Sequence, residues 1–181
     1  MSFWYPALIL LVAAERLAEL AVARANTRWS LAHGGIVVGR AHYPWLVLLH
    51  TGLLAGCLLE TALAHRPFIP VLGWPMLALA VAAQVLRWWC ILTLGRQWNT
   101  RVIVVPGLPR VTRGPYRLSR LPHPNYLAVA LEGVALPLVH TAWITALVFT
   151  ALNTAALTVR IRCESQALRT HLRPAPPPEH A

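Results

Sequence analysis

The sequence predicts an all-α integral membrane protein, a polytopic bundle of about five transmembrane helices with one long basic loop on its cytoplasmic side. Hydrophobic residues make up 57% of the 181 positions and charged residues only 12%, with a mean hydropathy of +0.54. Globular domains average about 25% charged residues. A chain of this length cannot bury so much apolar surface in a core of its own, so lipid must cover part of it.

Apolar blocks near the ~20 residues that a helix needs to cross a bilayer define the predicted spans. Three blocks give spans at residues 3–23, 44–64 and 74–94. The last block, residues 126–159, holds Pro137, His140 and Thr141 near its middle, which indicates a hairpin of two short or tilted spans at 125–139 and 142–160. We expect residues 1–173 to form a single membrane domain, followed by a proline-rich, disordered tail at 174–181.

The arginines predict the orientation of the bundle in the membrane. They concentrate in residues 24–43, 95–122 and beyond 159, whereas Arg66 stands alone between the second and third spans. With five spans these three basic segments share one face, which the positive-inside rule assigns to the cytoplasm. We therefore expect a multi-pass protein of the bacterial inner membrane with its N-terminus outside and its C-terminus cytoplasmic. The net charge of +10 is not gathered on a soluble face, so a nucleic-acid partner is not indicated.

Several common kinds of site are not encoded in this chain. Cys57, Cys90 and Cys163 are far apart and lack the spacing of a zinc site or a disulfide framework, so we expect no metal. Neither a GxGxxG sequence nor a P-loop occurs. The first six residues carry no cation and Glu15, Arg16 and Glu19 follow, which argues against a signal peptide.

Residues 95–124 form the longest segment between spans. Their Pro and Gly content forbids one continuous helix, and the run Val102–Val105 favours a short extended piece. Four rings, of Trp98, Tyr116, His123 and Tyr126, lie in or beside this segment. Long loops of this kind are either functional or disordered. We interpret the segment as a cofactor-binding loop, although composition alone equally fits an arginine-rich cytoplasmic anchor with an aromatic belt.

An ordered set of motifs surrounds the last two predicted spans. Gly114-Pro115-Tyr116 precedes His123-Pro124-Asn125-Tyr126, and Arg160 and Glu164 stand four residues apart after the final span. This set, within residues 95–168, resembles the isoprenylcysteine carboxyl methyltransferase family. The chain differs from the family pattern in placing Leu121-Pro122 between Arg120 and His123, and Ser165 after Glu164. The resemblance implies a multi-span membrane enzyme that uses S-adenosylmethionine to methylate the carboxylate of a prenylated cysteine.

The resemblance also implies which residues hold the cofactor and the acceptor. Aromatic faces suit a sulfonium, a helix N-terminus behind His123 suits a carboxylate, and Glu164 suits the methionyl ammonium. By family likeness the backbone of residues 108–111 lines the adenine. The expected cofactor-binding residues are Leu108, Pro109, Arg110, Val111, Tyr116, His123, Pro124, Asn125, Tyr126 and Glu164. The catalytic and substrate-binding residue is expected to be Arg160, whose planar guanidinium matches a carboxylate.

Alternatives stay open at this point. A phenolic lipid of the alkylresorcinol type, made by a type III polyketide synthase, would need a base such as His123 or Glu132. A non-enzymatic membrane scaffold or a small transporter subunit is a hypothesis of a different class. Glu132 is either functional or paired with Arg87 or Gln84 of the third span. The acids Glu15 and Glu19, with Arg16 between them, are expected to pair with arginines and fix helix packing.

Overall fold

A computed structural model describes residues 4–38, 43–109, 111–117 and 123–171, and of residues 164, 165 and 167–171 it describes the backbone alone. Five helices and a two-stranded ribbon make up this part of the chain. The helices are α1 (Trp4–Ala32), α2 (Tyr43–Leu63), α3 (Pro70–Leu94), α4 (Pro124–Leu138) and α5 (Trp143–His171). The strands are β1 (Ile36–Val38) and β2 (Val102–Val104). The predicted helical membrane bundle is therefore confirmed in its class.

Three of the helical segments are long and apolar enough to cross a membrane. They are Tyr43–Leu63, Pro70–Gln97 and Trp143–Cys163. With 15 residues α4 spans only about 22 Å, less than the ~30 Å of a bilayer core, and α1 carries three charged side chains in its middle. Five crossings, and the side on which each terminus lies, stay predictions.

Consecutive helices run in alternating directions. At one end of the bundle Tyr5 of α1 donates a hydrogen bond to the carbonyl of Leu136 in α4, 3.1 Å away. At the other end Asn26 of α1 contacts Gly95, where α3 stops. We call the first the hairpin end, because α4 turns into α5 there. We call the second the loop end, because the segment 95–124 lies there.

Local sequence explains where these helices begin and end. Pro70 and Pro124 occupy the first turns of α3 and α4, where the missing N–H costs nothing and the fixed φ suits a helix. Gly95 ends α3 at φ +53°, a backbone conformation that side chains with a Cβ rarely adopt.

A distant carboxylate caps the start of α5. Glu60, near the end of α2, accepts hydrogen bonds from the backbone N–H and the hydroxyl of Thr145, at 2.7 and 2.8 Å, and from the N–H of Ile144 at 3.2 Å. Arg66 pairs with the same carboxylate at 2.9 Å. A negative charge at a helix N-terminus is stabilising. An acid that interrupts an apolar span thus fixes the hairpin between α4 and α5 against α2.

The extended piece predicted at Val102–Val105 is present as β2. Its partner β1 was not predicted; the strands pair antiparallel, with Ile36 opposite Val104 and Val38 opposite Val102. The ribbon also contacts α5. The chain that leaves α1 therefore folds back over the loop end. Three consecutive β-branched residues at 36–38 are the signal that sequence reasoning missed.

Four charged side chains meet between α1, α3 and α4, and we call them the charge cluster: Arg16, Glu19, Arg87 and Glu132. Arg16 lies 2.6 Å from Glu19 and 2.5 Å from Glu132, and Arg87 lies 2.6 Å from Glu132. Gln84 donates a weaker hydrogen bond to Glu132 at 3.4 Å. The predicted pairing of Glu132 with the third span is confirmed, and so is that of Glu19 with arginines. Glu15 instead accepts a hydrogen bond from the indole of Trp88. The cluster is electrically neutral and joins three helices.

Candidate functional site

The turn that carries Tyr116 is held tightly against α3. Residues Gly114–Arg117 form one 3₁₀ turn, in which Gly114 has φ +57°. A Cβ at Gly114 would lie 2.6 Å from the hydroxyl oxygen of Thr93, so only glycine fits between the turn and α3. The Tyr116 side chain is hydrogen-bonded with Cys90. Tyr116 is therefore fixed beside the last turns of α3.

The first turn of α4 presents two stacked rings. His123 is the N-cap residue and forms no side-chain cap within the described residues, while Pro124 fixes the turn that follows. The imidazole of His123 and the ring of Tyr126 lie 5.1 Å apart between centroids and nearly parallel, at 22°. The predicted cofactor residues His123 and Tyr126 thus share one surface at the loop end.

Arg160 of α5 extends this surface. Its Nε donates a hydrogen bond to the Tyr126 hydroxyl at 3.0 Å, and its guanidinium carbon lies 5.5 Å from the centre of the Tyr126 ring. We call the three residues the His123–Tyr126–Arg160 row. It brings together residues predicted for the cofactor and the residue predicted for the acceptor.

Asn125 supplies an unsatisfied polar atom next to the row. Its side-chain oxygen is buried and has no hydrogen-bond partner among the described residues. Buried acceptors are nearly always satisfied in native proteins, so such an atom calls for a donor. S-adenosylmethionine carries an ammonium and two ribose hydroxyls, all of which donate. The donor set of the cofactor therefore fits the residues that the structure assembles here.

The segment predicted to line the adenine is described in part. Leu108 closes a turn through its N–H to the carbonyl of Val105 at 3.3 Å, and Gln97 donates to the carbonyl of Pro109 at 3.4 Å. Val111 is half-buried. Arg110 and the side chain of Glu164 lie outside the described residues. Their predicted roles, and the grouping of residues 108–111 with the row, stay predictions.

An apolar groove between α2 and α5 reaches towards the row. It encloses about 610 Å³, within the range of about 300–1,000 Å³ that is typical of ligand pockets. Its α5 wall ends at Ala156, one helical turn before Arg160. Gly52 leaves room on the α2 wall, whereas a Cβ at Gly56 would lie 2.9 Å from the Thr145 side chain, so Gly56 lets α2 and α5 approach closely. The sequence did not predict this groove.

Glu132, whose role the sequence left open, belongs to the charge cluster. It accepts hydrogen bonds from both Arg16 and Arg87, so its carboxylate is committed to structural contacts. Within the described residues, no group of three or more His, Cys, Asp or Glu side chains is arranged to hold a metal ion.

Comparison with known proteins identifies the family of this chain. A profile of the isoprenylcysteine carboxyl methyltransferase family matches residues 76–170, which include most of α3, the loop, α4 and nearly all of α5. The uncharacterized protein YpbQ of Bacillus subtilis (strain 168) is 36% identical over 170 residues, which cover 93% of this chain and 98% of that protein. No solved structure matches the chain. The chain belongs to the isoprenylcysteine carboxyl methyltransferase (ICMT) family.

Proposed function

We propose that the protein is an S-adenosylmethionine-dependent O-methyltransferase that esterifies the carboxylate of a lipidic, isoprenylcysteine-type acceptor in the membrane. Membership of the family indicates a membrane methyltransferase. The observation that carries the finer proposal is the row itself, because it places an arginine in contact with a ring surface suited to a sulfonium.

The cofactor end of the site is supplied by the start of α4. The stacked rings of His123 and Tyr126 offer a flat electron-rich surface, and the helix N-terminus behind Pro124 favours an anionic group such as the methionyl carboxylate. The buried oxygen of Asn125, which has no hydrogen-bond partner among the described residues, accepts from an ammonium or a hydroxyl in this proposal. The proposed cofactor site is completed by Tyr116, Glu164 and residues 108–111, which include Arg110.

The acceptor end is supplied by Arg160 and the groove. A guanidinium binds a carboxylate with two parallel N–H groups, which orients the oxygen that must react. The groove between α2 and α5 has an almost wholly apolar lining and ends one turn from Arg160, so a lipid tail lying in it would bring its head to the arginine. Lipid tails thus reach the site from the bilayer.

The chemistry asks little of the protein beyond alignment and exclusion of water. S-adenosylmethionine supplies an electrophilic methyl group, so that an O–CH3 bond forms while the S–CH3 bond breaks and its electron pair stays on sulfur as a neutral thioether. A carboxylate is ionised at neutral pH and needs no base. Arg160 and Tyr126 therefore act by holding the acceptor oxygen in line in a site poor in water.

Cofactor binding is the first test. Calorimetry with detergent-purified protein should show saturable binding of S-adenosylmethionine that weakens about tenfold or more in His123→Ala, because about 1.4 kcal/mol corresponds to a factor of ten. His65→Ala is the matched control, since His65 is exposed and lies at the hairpin end. Absence of binding by a folded sample would support the scaffold or transporter-subunit hypothesis instead.

A phenolic lipid is the second candidate acceptor. The structure leaves His123 as the available base, because both arginines of the charge cluster hold Glu132. Incubation with methyl-labelled cofactor and two acceptors, a farnesylated cysteine derivative and an alkylresorcinol, separates the candidates. A base-labile methyl group on the cysteine derivative is the expected product. Formation of a stable methyl ether on the resorcinol would instead show that the acceptor group is a phenol and not a carboxylate.

A further inference from the structure

The last turns of α1 extend past the part of the helix that a bilayer can cover. With 29 residues α1 is about 43 Å long, against a hydrocarbon core of about 30 Å. Near its C-terminal end three polar side chains, of Asn26, Thr27 and Ser30, face the beginning of the loop. Asn26 and Ser30 are almost fully buried, with exposures of 6% and 1%. Both residues lie outside the loop motifs.

Asn26 uses both N–H groups of its amide on one turn of the loop. Its nitrogen donates to the carbonyl of Gly95 at 2.9 Å and to the carbonyl of Trp98 at 2.8 Å. These carbonyls bracket the 3₁₀ turn Gly95–Gln97, through which the chain leaves α3. The side chain therefore fixes the direction in which the loop starts.

Neighbouring contacts support the same anchor. Thr27 donates to the side-chain oxygen of Asn99 at 3.0 Å, and the amide nitrogen of Asn99 donates to the Ser30 hydroxyl at 3.4 Å. The ring of Trp98 is buried against Ala23 and Ile91. Residues 95–99, which we call the loop root, are thus tied to α1 by polar contacts on one side and apolar contacts on the other.

We propose that Asn26 is a positioning residue for the cofactor site, an inference that rests on the proposed function. The loop is fixed at its far end by the start of α4 and in its middle by the turn at Gly114, and Asn26 fixes its root. A loop that is ordered before binding does not lose conformational entropy when the ligand binds. Releasing the root therefore weakens binding of S-adenosylmethionine although Asn26 does not touch it.

Two isosteric substitutions on the same helix test this. Asn26→Asp keeps the shape but replaces both donors by an oxygen that repels the two carbonyls. Tyr5→Phe removes a buried hydrogen bond from α1 to a backbone carbonyl at the hairpin end, and is the matched control. We expect the cofactor dissociation constant to rise about tenfold in Asn26→Asp and to stay unchanged in Tyr5→Phe, with the acceptor KM unchanged in both when cofactor is saturating.

A milder variant guards against loss of folding. Thr27→Val removes only the contact to Asn99 and should weaken cofactor binding about threefold at an unchanged melting temperature. Trypsin cleavage after Arg96 and Arg101 should be faster in Asn26→Asp than in the control, which reports release of the root directly. Equal cofactor affinity in Thr27→Val, Asn26→Asp and the control would overturn the inference alone. Absence of binding by the unaltered protein would overturn the proposed function as well.

Discussion

Two arginine-containing regions of the bundle differ in what faces the guanidinium. In the charge cluster, Arg87 lies 2.6 Å from Glu132 and 3.5 Å from Glu19, and Arg16 contacts both acids. In the His123–Tyr126–Arg160 row, the described partner of Arg160 is a neutral phenol hydroxyl. In the first region, ion pairs between arginines and glutamates join three helices. The second presents a cation beside two rings.

The difference distinguishes arginines that stabilise the fold from an arginine that is available to a ligand. A buried guanidinium is tolerated when carboxylates of the same protein neutralise it, and it then has no charge left for a ligand. Arg160 sits at the end of the bundle, where its partner among the described side chains is a neutral hydroxyl that orients the guanidinium without neutralising it. An anionic ligand can complete such a site. The following predictions test this comparison.

Breaking the charge cluster should give the largest effect, and it should act on stability. Glu132→Ala leaves Arg16 and Arg87 facing one remaining acid, Glu19, in a buried position. Removal of one partner from a buried ion pair costs about 3–5 kcal/mol. We expect the free energy of unfolding in detergent to fall by that amount, measured by chemical denaturation.

The control for this variant is a carboxylate of α1 that is not part of the charge cluster. Glu15 accepts a hydrogen bond from the indole of Trp88 and lies outside the cluster. Because it loses a single hydrogen bond, Glu15→Ala should cost no more than about 1.5 kcal/mol. Equal costs for the two variants would show that the cluster does not behave as a buried ionic unit.

Removing Arg160 should spare stability and act on the acceptor. We expect Arg160→Ala to lower kcat/KM for carboxyl methylation about 100-fold, equivalent to about 2.7 kcal/mol, since a charge-assisted contact to the acceptor is lost. The cofactor dissociation constant should change less than about threefold. The kcat/KM of Arg160→Lys should lie between those of Arg160→Ala and the unaltered protein, because lysine keeps the charge but loses the planar fork. Equal losses in cofactor binding and in transfer would remove Arg160 from the acceptor site.

Parts of both regions could be predicted from the sequence. Charges inside apolar spans must find partners, so the pairing of Glu132 with Arg87 follows from the cost of leaving either alone. Short-range motifs likewise marked the start of α4, where His123 and Pro124 stand together. In both cases the physical constraint acts on residue types that can be recognised in the sequence alone.

Long-range anchoring could not be predicted in the same way. Asn26 contacts the loop root across about 70 positions of sequence, and a single asparagine near a helix end has many possible partners. The three-residue strand β1 is too short to show a period of two, so its pairing with β2 left no pattern beyond its β-branched residues. The sequence therefore does not reveal which contacts anchor the loop.

The smallest expected effect comes from the hydroxyl that joins the two halves of the row. Tyr126→Phe keeps the ring that stacks on His123 and removes the oxygen that accepts from Arg160. Loss of one hydrogen bond to a charged group is worth about 1.5 kcal/mol, so kcat/KM for the acceptor should fall about tenfold.

Cofactor affinity should be retained in Tyr126→Phe and lost in Tyr126→Ala, because the cofactor is proposed to use the face of the ring and the acceptor to depend on its hydroxyl through Arg160. Calorimetry and steady-state kinetics on the same three samples separate these contributions. A Phe variant that loses cofactor affinity while keeping its acceptor kinetics would assign the hydroxyl to the cofactor, and the guanidinium would then be oriented by some other group.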